Sequence, residues 1–196
     1  MGELILVRHG ETEWSREGRH TGRTDLPLTP RGEEQARALA PLLADRKIVL
    51  ALSSPALRAR RTAESAGLTG VEIDERLWEW DYGEYEGLST PRIREDRPGW
   101  YLWRDGVIGG ETADQVGERV DGVLEQVRPV LTDGDVVLVA HGHVLRILTA
   151  RWLGLRAADG RLFKLGTGTL STLGTEHDEP VISTWNVPAS PTGQRS

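Results

Sequence analysis

Two histidines in this chain each follow a short apolar run and precede a glycine. Arg8-His9-Gly10 comes after residues 4–7, and His141-Gly142 comes after residues 135–140. A third apolar run, residues 48–52, ends at Ser53-Ser54-Pro55 and leads into a stretch carrying Arg58. Two arginines and two histidines without cysteine suit one chemistry well. Arg8 and Arg58 could clamp a dianion through their planar forks. Nearby guanidiniums lower a histidine pKa, which keeps the imidazole free to act as base or nucleophile. Phosphoryl transfer needs little beyond positioning and charge neutralisation, and these groups supply both without a metal. A lone Arg-His pair is more often a structural ion-pairing element. Two His-Gly pairs after two buried strands carry more weight.

The elements that must position these residues alternate. Residues 4–7, 48–52 and 135–140 read as buried strands. Thr29-Pro30 is a helix start, and Ala36, Leu39, Ala40 and Leu43 recur behind it at helical spacing. Residues 56–66, 112–131 and 141–153 read as further helices, the second with apolar Val116, Val120, Val123, Leu124 and Val127. Residues 11–30, broken by Gly18, Gly22, Pro27 and Pro30, read as a long loop. Residues 77–110 show no clean period although they hold four of the seven tryptophans and all three tyrosines. Two closing strands are expected at 169–174 and 181–185. The alternation predicts a three-layer α/β/α sandwich with a mainly parallel central sheet, a single domain over residues 1–187, and a disordered tail over 188–196. In such sheets ligands bind beyond the carboxyl ends of the strands, where Arg8-His9, 54–58 and His141 converge.

Composition narrows the classes. With 196 residues, 38% of them hydrophobic and 28% charged, the chain is long enough for one sizeable core and too apolar for intrinsic disorder. A net charge of -6 argues against nucleic acid and against a polybasic membrane anchor as partners. No apolar run approaches the roughly 20 residues that span a bilayer, and the N-terminus lacks a signal-peptide layout, so a cytoplasmic location is expected. Cysteine is absent, which removes disulfides and thiolate metal sites. No cofactor and no metal are expected. The partner is expected to be a small phosphorylated metabolite, with a homo-oligomer left open.

The string LVRHGETEW (residues 6–14) resembles the signature of the histidine phosphatase superfamily, the phosphoglycerate mutase-like enzymes. The likeness continues through Ser54-Pro55-Ala56-Leu57-Arg58-Ala59 with Thr62-Ala63, Glu79-Trp80-Asp81-Tyr82-Gly83, Gly110-Glu111-Thr112 and Val139-Ala140-His141-Gly142. It implies a two-step transfer in which His9 attacks phosphorus while Arg8, Arg58 and His141 hold the phosphoryl oxygens. Glu79 is implied as proton donor and then as base for water. For that role its pKa should be raised by burial, with Trp78, Trp80 and Tyr82 as the apolar shell.

The longest shared strings resemble the sugar bisphosphatase and acid phosphatase members. By that register Ser15, His20, Thr21, Gly22 and Tyr82 are expected to bind substrate, together with Gly142, Arg146 and His177. Arg146 and His177 would form the cationic pair that a second phosphate requires. Ser15 and the short segment at 88–109 weaken a mutase reading. A phosphoglycerate mutase, a broad-specificity acid phosphatase and a catalytically inactive phospho-ligand-binding relative remain as alternatives.

Overall fold

The computed structural model describes residues 2–189. Its centre is a six-stranded sheet of β1 (Leu4–Arg8), β2 (Ile48–Ser53), β3 (Glu72–Ile73), β4 (Asp135–Ala140), β5 (Thr169–Glu176) and β6 (Glu179–Pro188). The order is β3-β2-β4-β1-β5-β6. The first four run parallel, while β5 and β6 pair antiparallel at one side. The central strands are apolar on both faces because both faces are covered. All six residues of β4 are buried.

Eight α-helices are described: α1 (Glu13–Glu17), α2 (Pro30–Ala38), α3 (Ala40–Leu43), α4 (Leu57–Ser65), α5 (Thr90–Asp96), α6 (Leu102–Asp105), α7 (Ala113–Val130) and α8 (Gly142–Trp152). Alternation along each strand divides the core. Ile5, Val7, Val137 and Val139 pack with Leu39, Leu43, Ala59 and Ala63 from α2, α3, α4 and their junctions. Leu4, Leu6, Val136 and Leu138 face Val120, Val123, Val127, Val144 and Leu148 of α7 and α8 on the other side. These are the three layers that the alternating pattern implied.

Three features depart from the sequence reading. Residues 11–30 are not all loop: Thr12 caps α1 with a reciprocal capping box through Ser15, too short a signal to stand out among the surrounding breakers. The two-residue edge strand β3 went unread because one turn of strand has no periodicity to detect. Pro188 belongs to β6, paired with Thr169, so the tail does not begin there. The rest of that expected tail, 190–196, lies outside the described residues.

The stretch between β3 and α7 is held by side chains rather than by regular repeats. Arg119 donates to the carbonyls of Arg76 (2.6 Å), Trp78 (2.7 Å) and Glu79 (3.2 Å). The carboxylate of Glu111 receives Arg119 at 2.7 and 2.9 Å and the Asp81 amide at 2.9 Å. One ion pair thus shapes the backbone on both sides of Glu79.

Candidate active site

The carboxyl ends of β2, β4 and β1 lie side by side, and a cavity of about 270 Å³ opens beyond them. Arg8 and His9 form its floor. The His9 amide continues the ladder to Ala140 O at 3.0 Å, and the Gly10 amide donates to Thr62 Oγ1 at 3.0 Å. His9 therefore has almost no backbone freedom. Its Nδ1 lies 2.7 Å from Gly10 O. A carbonyl only accepts, so Nδ1 carries the proton and Nε2 keeps its lone pair. That Nε2 has no partner among the described residues and retains access to the cavity. Burial, and then the charges of Arg58 and Arg8, hold the His9 pKa well below the ordinary histidine value.

Arg8 donates from Nη1 to Leu165 O, while its Nε is buried without a hydrogen-bond partner among the described residues. Gly142 permits this placement, since a Cβ there would stand 3.2 Å from Arg8 Cζ. Arg58 leaves the first turn of α4 fully buried. It donates to Thr24 O (2.9 Å), Thr21 O (3.2 Å) and Gly22 O (2.9 Å), and its Nε lies 3.1 Å from His141 Nδ1. Because Nδ1 accepts from Arg58, His141 carries its proton on Nε2 and donates to Ser54 Oγ at 2.7 Å. The His9 and His141 ring centroids are 5.1 Å apart. Burial first, then Arg58, depresses the His141 pKa well below its ordinary value.

Glu79 closes the opposite side, almost wholly buried. Backbone amides hold its carboxylate. Oε1 accepts the amides of Trp80 (2.9 Å) and Val144 (2.8 Å), and Oε2 accepts the amide of His143 (2.9 Å). Two of these donors belong to the first turn of α8, where helical N–H groups lack intrahelical partners. Trp80 packs on Trp103, and Trp78 lies parallel to the His141 ring.

Of the expected substrate-side residues, Ser15, His20, Thr21, Tyr82, Gly142 and Arg146 line the cavity with Arg8, His9 and Glu79. Arg58 and His141 sit just beneath its surface. Arg146 gives Nε to Gly160 O (3.0 Å) and Nη2 to Arg161 O (3.2 Å) and stacks over Trp103 at 4.7 Å. It pairs with carbonyls, so its charge is not neutralised by a carboxylate.

Two expectations fail. Gly22 does not line the cavity: its amide binds Glu86, its carbonyl takes Arg58, and a Cβ would fall 2.7 Å from Trp80 O. Its service is to the loop. His177 lies at the other end of the sheet. β5 runs antiparallel to β1 with Val7 opposite Leu170 and Leu4 opposite Leu173, so the turn after Glu176 lies beyond the start of β1, far from Arg8. A paired Arg146 and His177 is therefore ruled out.

His143, Arg19, Thr90 and Leu165 also line the cavity, outside the expected set, while Ser54 and Thr62, from the motif at 54–63, and Arg119 orient its members. The HGH triplet was the available signal for His143. Nothing local marked Arg119 as a support of Glu79, since the carbonyls it holds lie about 40 residues away. No group of three His, Cys, Asp or Glu side chains is placed to hold a metal ion among the described residues, and no described helix is long and apolar enough to cross a membrane.

The model of the histidine phosphatase superfamily (branch 1) matches residues 4–188. The chain is 42% identical over 176 residues to an acid phosphatase of Mycobacterium tuberculosis, covering 89% of this chain and 87% of that protein. It is 39% identical over 183 residues to sedoheptulose 1,7-bisphosphatase of Saccharomyces cerevisiae, covering 77% of this chain and 67% of the yeast protein. Among solved structures, that of the open reading frame Rv3214 product of Mycobacterium tuberculosis superposes with a TM-score of 0.92 at 38% identity, covering 96% of this chain and 99% of that one.

Proposed function

Since the chain belongs to the histidine phosphatase superfamily (branch 1) and is a phosphatase, we propose that it hydrolyses phosphomonoesters of small metabolites, sugar phosphates foremost, through a phosphohistidine formed on His9. The observation that carries this reading is the state of His9. Its Nδ1 proton is tied to Gly10, its Nε2 is free at the cavity floor, and two guanidiniums stand beside it. In the first step Nε2 bonds to phosphorus and the ester P–O bond breaks. Glu79 gives a proton to the departing alkoxide. Its Oε2, which accepts one amide where Oε1 accepts two, is the oxygen with room for that proton. Water then attacks phosphorus, Glu79 takes its proton, the P–N bond breaks, and His9 returns neutral. Arg8, through its unpartnered Nε–H, and Arg58 and His141 from beneath would balance the charge on the phosphoryl oxygens.

The yeast relative's name supports sugar bisphosphates as candidates, but with His177 removed from the site the arginines beyond Arg8 that line the cavity among the described residues are Arg146 and Arg19. A monophosphate preference is therefore as well supported as a bisphosphate one. A mutase reading draws no support from a particular residue here. The test is a rapid mix with labelled substrate followed by alkaline quench. An acid-labile phosphohistidine is expected in the wild type and not in His9→Ala, with turnover undiminished in EDTA. Normal turnover by His9→Ala would overturn the assignment.

A further inference from the structure

One wall of the cavity is left unused by these transfer steps. His20 and His143 stand on it as nearly parallel imidazoles, with centroids 6.4 Å apart and planes 11° from parallel. Each ring has one nitrogen committed. His20 Nδ1 lies 2.7 Å from Leu88 O, so Nδ1 carries the proton and Nε2 is a bare acceptor. His143 Nδ1 lies 2.5 Å from the Tyr82 hydroxyl, which has no other hydrogen-bond partner among the described residues. Donation from the hydroxyl to Nδ1 leaves the proton of the neutral imidazole on Nε2. Neither Nε2 makes a hydrogen bond among the described residues, and both residues line the cavity. Burial lowers both histidine pKa values, which keeps the two rings neutral.

We propose that His20 and His143 together recognise one hydroxyl of the leaving alcohol, which donates to His20 Nε2 and accepts from His143 Nε2–H. A hydroxyl satisfies both nitrogens. An ether oxygen serves His143 alone, an ammonium serves His20 alone, and a methylene serves neither. The pair lies on the leaving-group side. The amide of His143 holds Glu79 Oε2, and its ring Nδ1 is 4.0 Å from the same oxygen. The inference rests on Glu79 as proton donor and adds a substrate class: polyol phosphates over alkyl phosphates of equal length.

The test compares kcat/KM for ribitol 5-phosphate with that for pentyl phosphate. In the wild type the ratio should favour the polyol by roughly tenfold to hundredfold, the worth of two hydrogen bonds in a half-enclosed site. His20→Phe and His143→Phe should each bring it to within about threefold of unity. Both rates come from one preparation, so lost folded protein cancels. Tyr82 is a positioning residue, and Tyr82→Phe should lower the ratio while nitrogen-15 spectra show the His143 proton divided between Nδ1 and Nε2. A wild-type ratio near one, a ratio untouched by both phenylalanine variants, or a His143 proton resident on Nδ1 overturns this inference alone. Phosphate release from neither substrate overturns it together with the reading of Glu79.

Discussion

The two sides of the cavity are built by different means. The phosphate side, with Arg8, His9 and His141, hangs on the ends of β1 and β4, where the ladder places each backbone atom and Gly10, Ser54 and Thr62 complete the orientation. The leaving-group side, with His20, Glu79, Tyr82, His143 and Arg146, draws on loops, the irregular run before α7 and the first turns of α8. Its members are aimed by side-chain bonds to carbonyls and by ring contacts such as Trp80–Trp103. A sheet edge places a charge-bearing group for one invariant task. An irregular wall can change its donors and acceptors without disturbing that task.

Breaking the phosphate side should cost most. His9→Ala is expected to lower kcat by at least about 10⁴-fold for every substrate, because nothing else supplies the nucleophile. Glu79→Gln sharpens the contrast by dividing substrates. Sugar phosphates, whose alkoxide needs a proton, should lose about 10²–10³-fold in kcat, and p-nitrophenyl phosphate less than about tenfold. Equal losses would make Glu79 a structural or purely electrostatic residue.

Arg119→Met tests whether the leaving-group side depends on remote side chains. It strands the Glu111 carboxylate and three carbonyls around Glu79, so a loss of about 2–4 kcal/mol in denaturant unfolding is expected. Its kcat loss should be larger on sugar phosphates than on p-nitrophenyl phosphate, following Glu79. Equal losses on both would separate the framework from the proton donor.

Acidity probes both sides at once. His9, His141 and His143 are held neutral by burial, with pKa values well below 6.5. Below that pH the unfolded chain binds protons that the native protein refuses. Stability should thus fall as pH drops from about 6.5, by about 1.4 kcal/mol per pH unit for each such histidine until its own folded pKa is reached. Calorimetry at pH 5 in buffers of differing ionisation enthalpy should record the proton uptake. For the same reason kcat/KM should not decline through pH 6.5, since His9 remains a free base there. The smallest effect belongs to His177→Ala, expected to change kcat/KM by less than about twofold given its place at the far end of the sheet. A tenfold rise in KM for a bisphosphate would return that turn to the site.

Residue spacing carried the parallel core and the meeting of Arg8-His9, 54–58 and His141 at its strand ends, while the roles expected of them rested on the resemblance of their motifs. Strand and helix periods are local, and a strand must end where Arg8-His9 and His141 begin, so their convergence follows from the sheet's topology. Thr29-Pro30 and Thr112 marked helix starts by chemistry contained within four residues. What tertiary structure decided was everything dependent on contacts across long separations. The antiparallel register of β5 carried His177 away from the crevice although its neighbours in sequence matched. Arg119 reached back about 40 residues to shape the backbone at Glu79, and three backbone amides, two of them from α8, came to hold its carboxylate. The tautomer of His20 is fixed by Leu88, and the one proposed for His143 depends on Tyr82, each more than 60 residues away in sequence from the ring it binds. A histidine's identity is written in the chain. Which of its nitrogens holds the proton is settled only by the atom that folding brings against it.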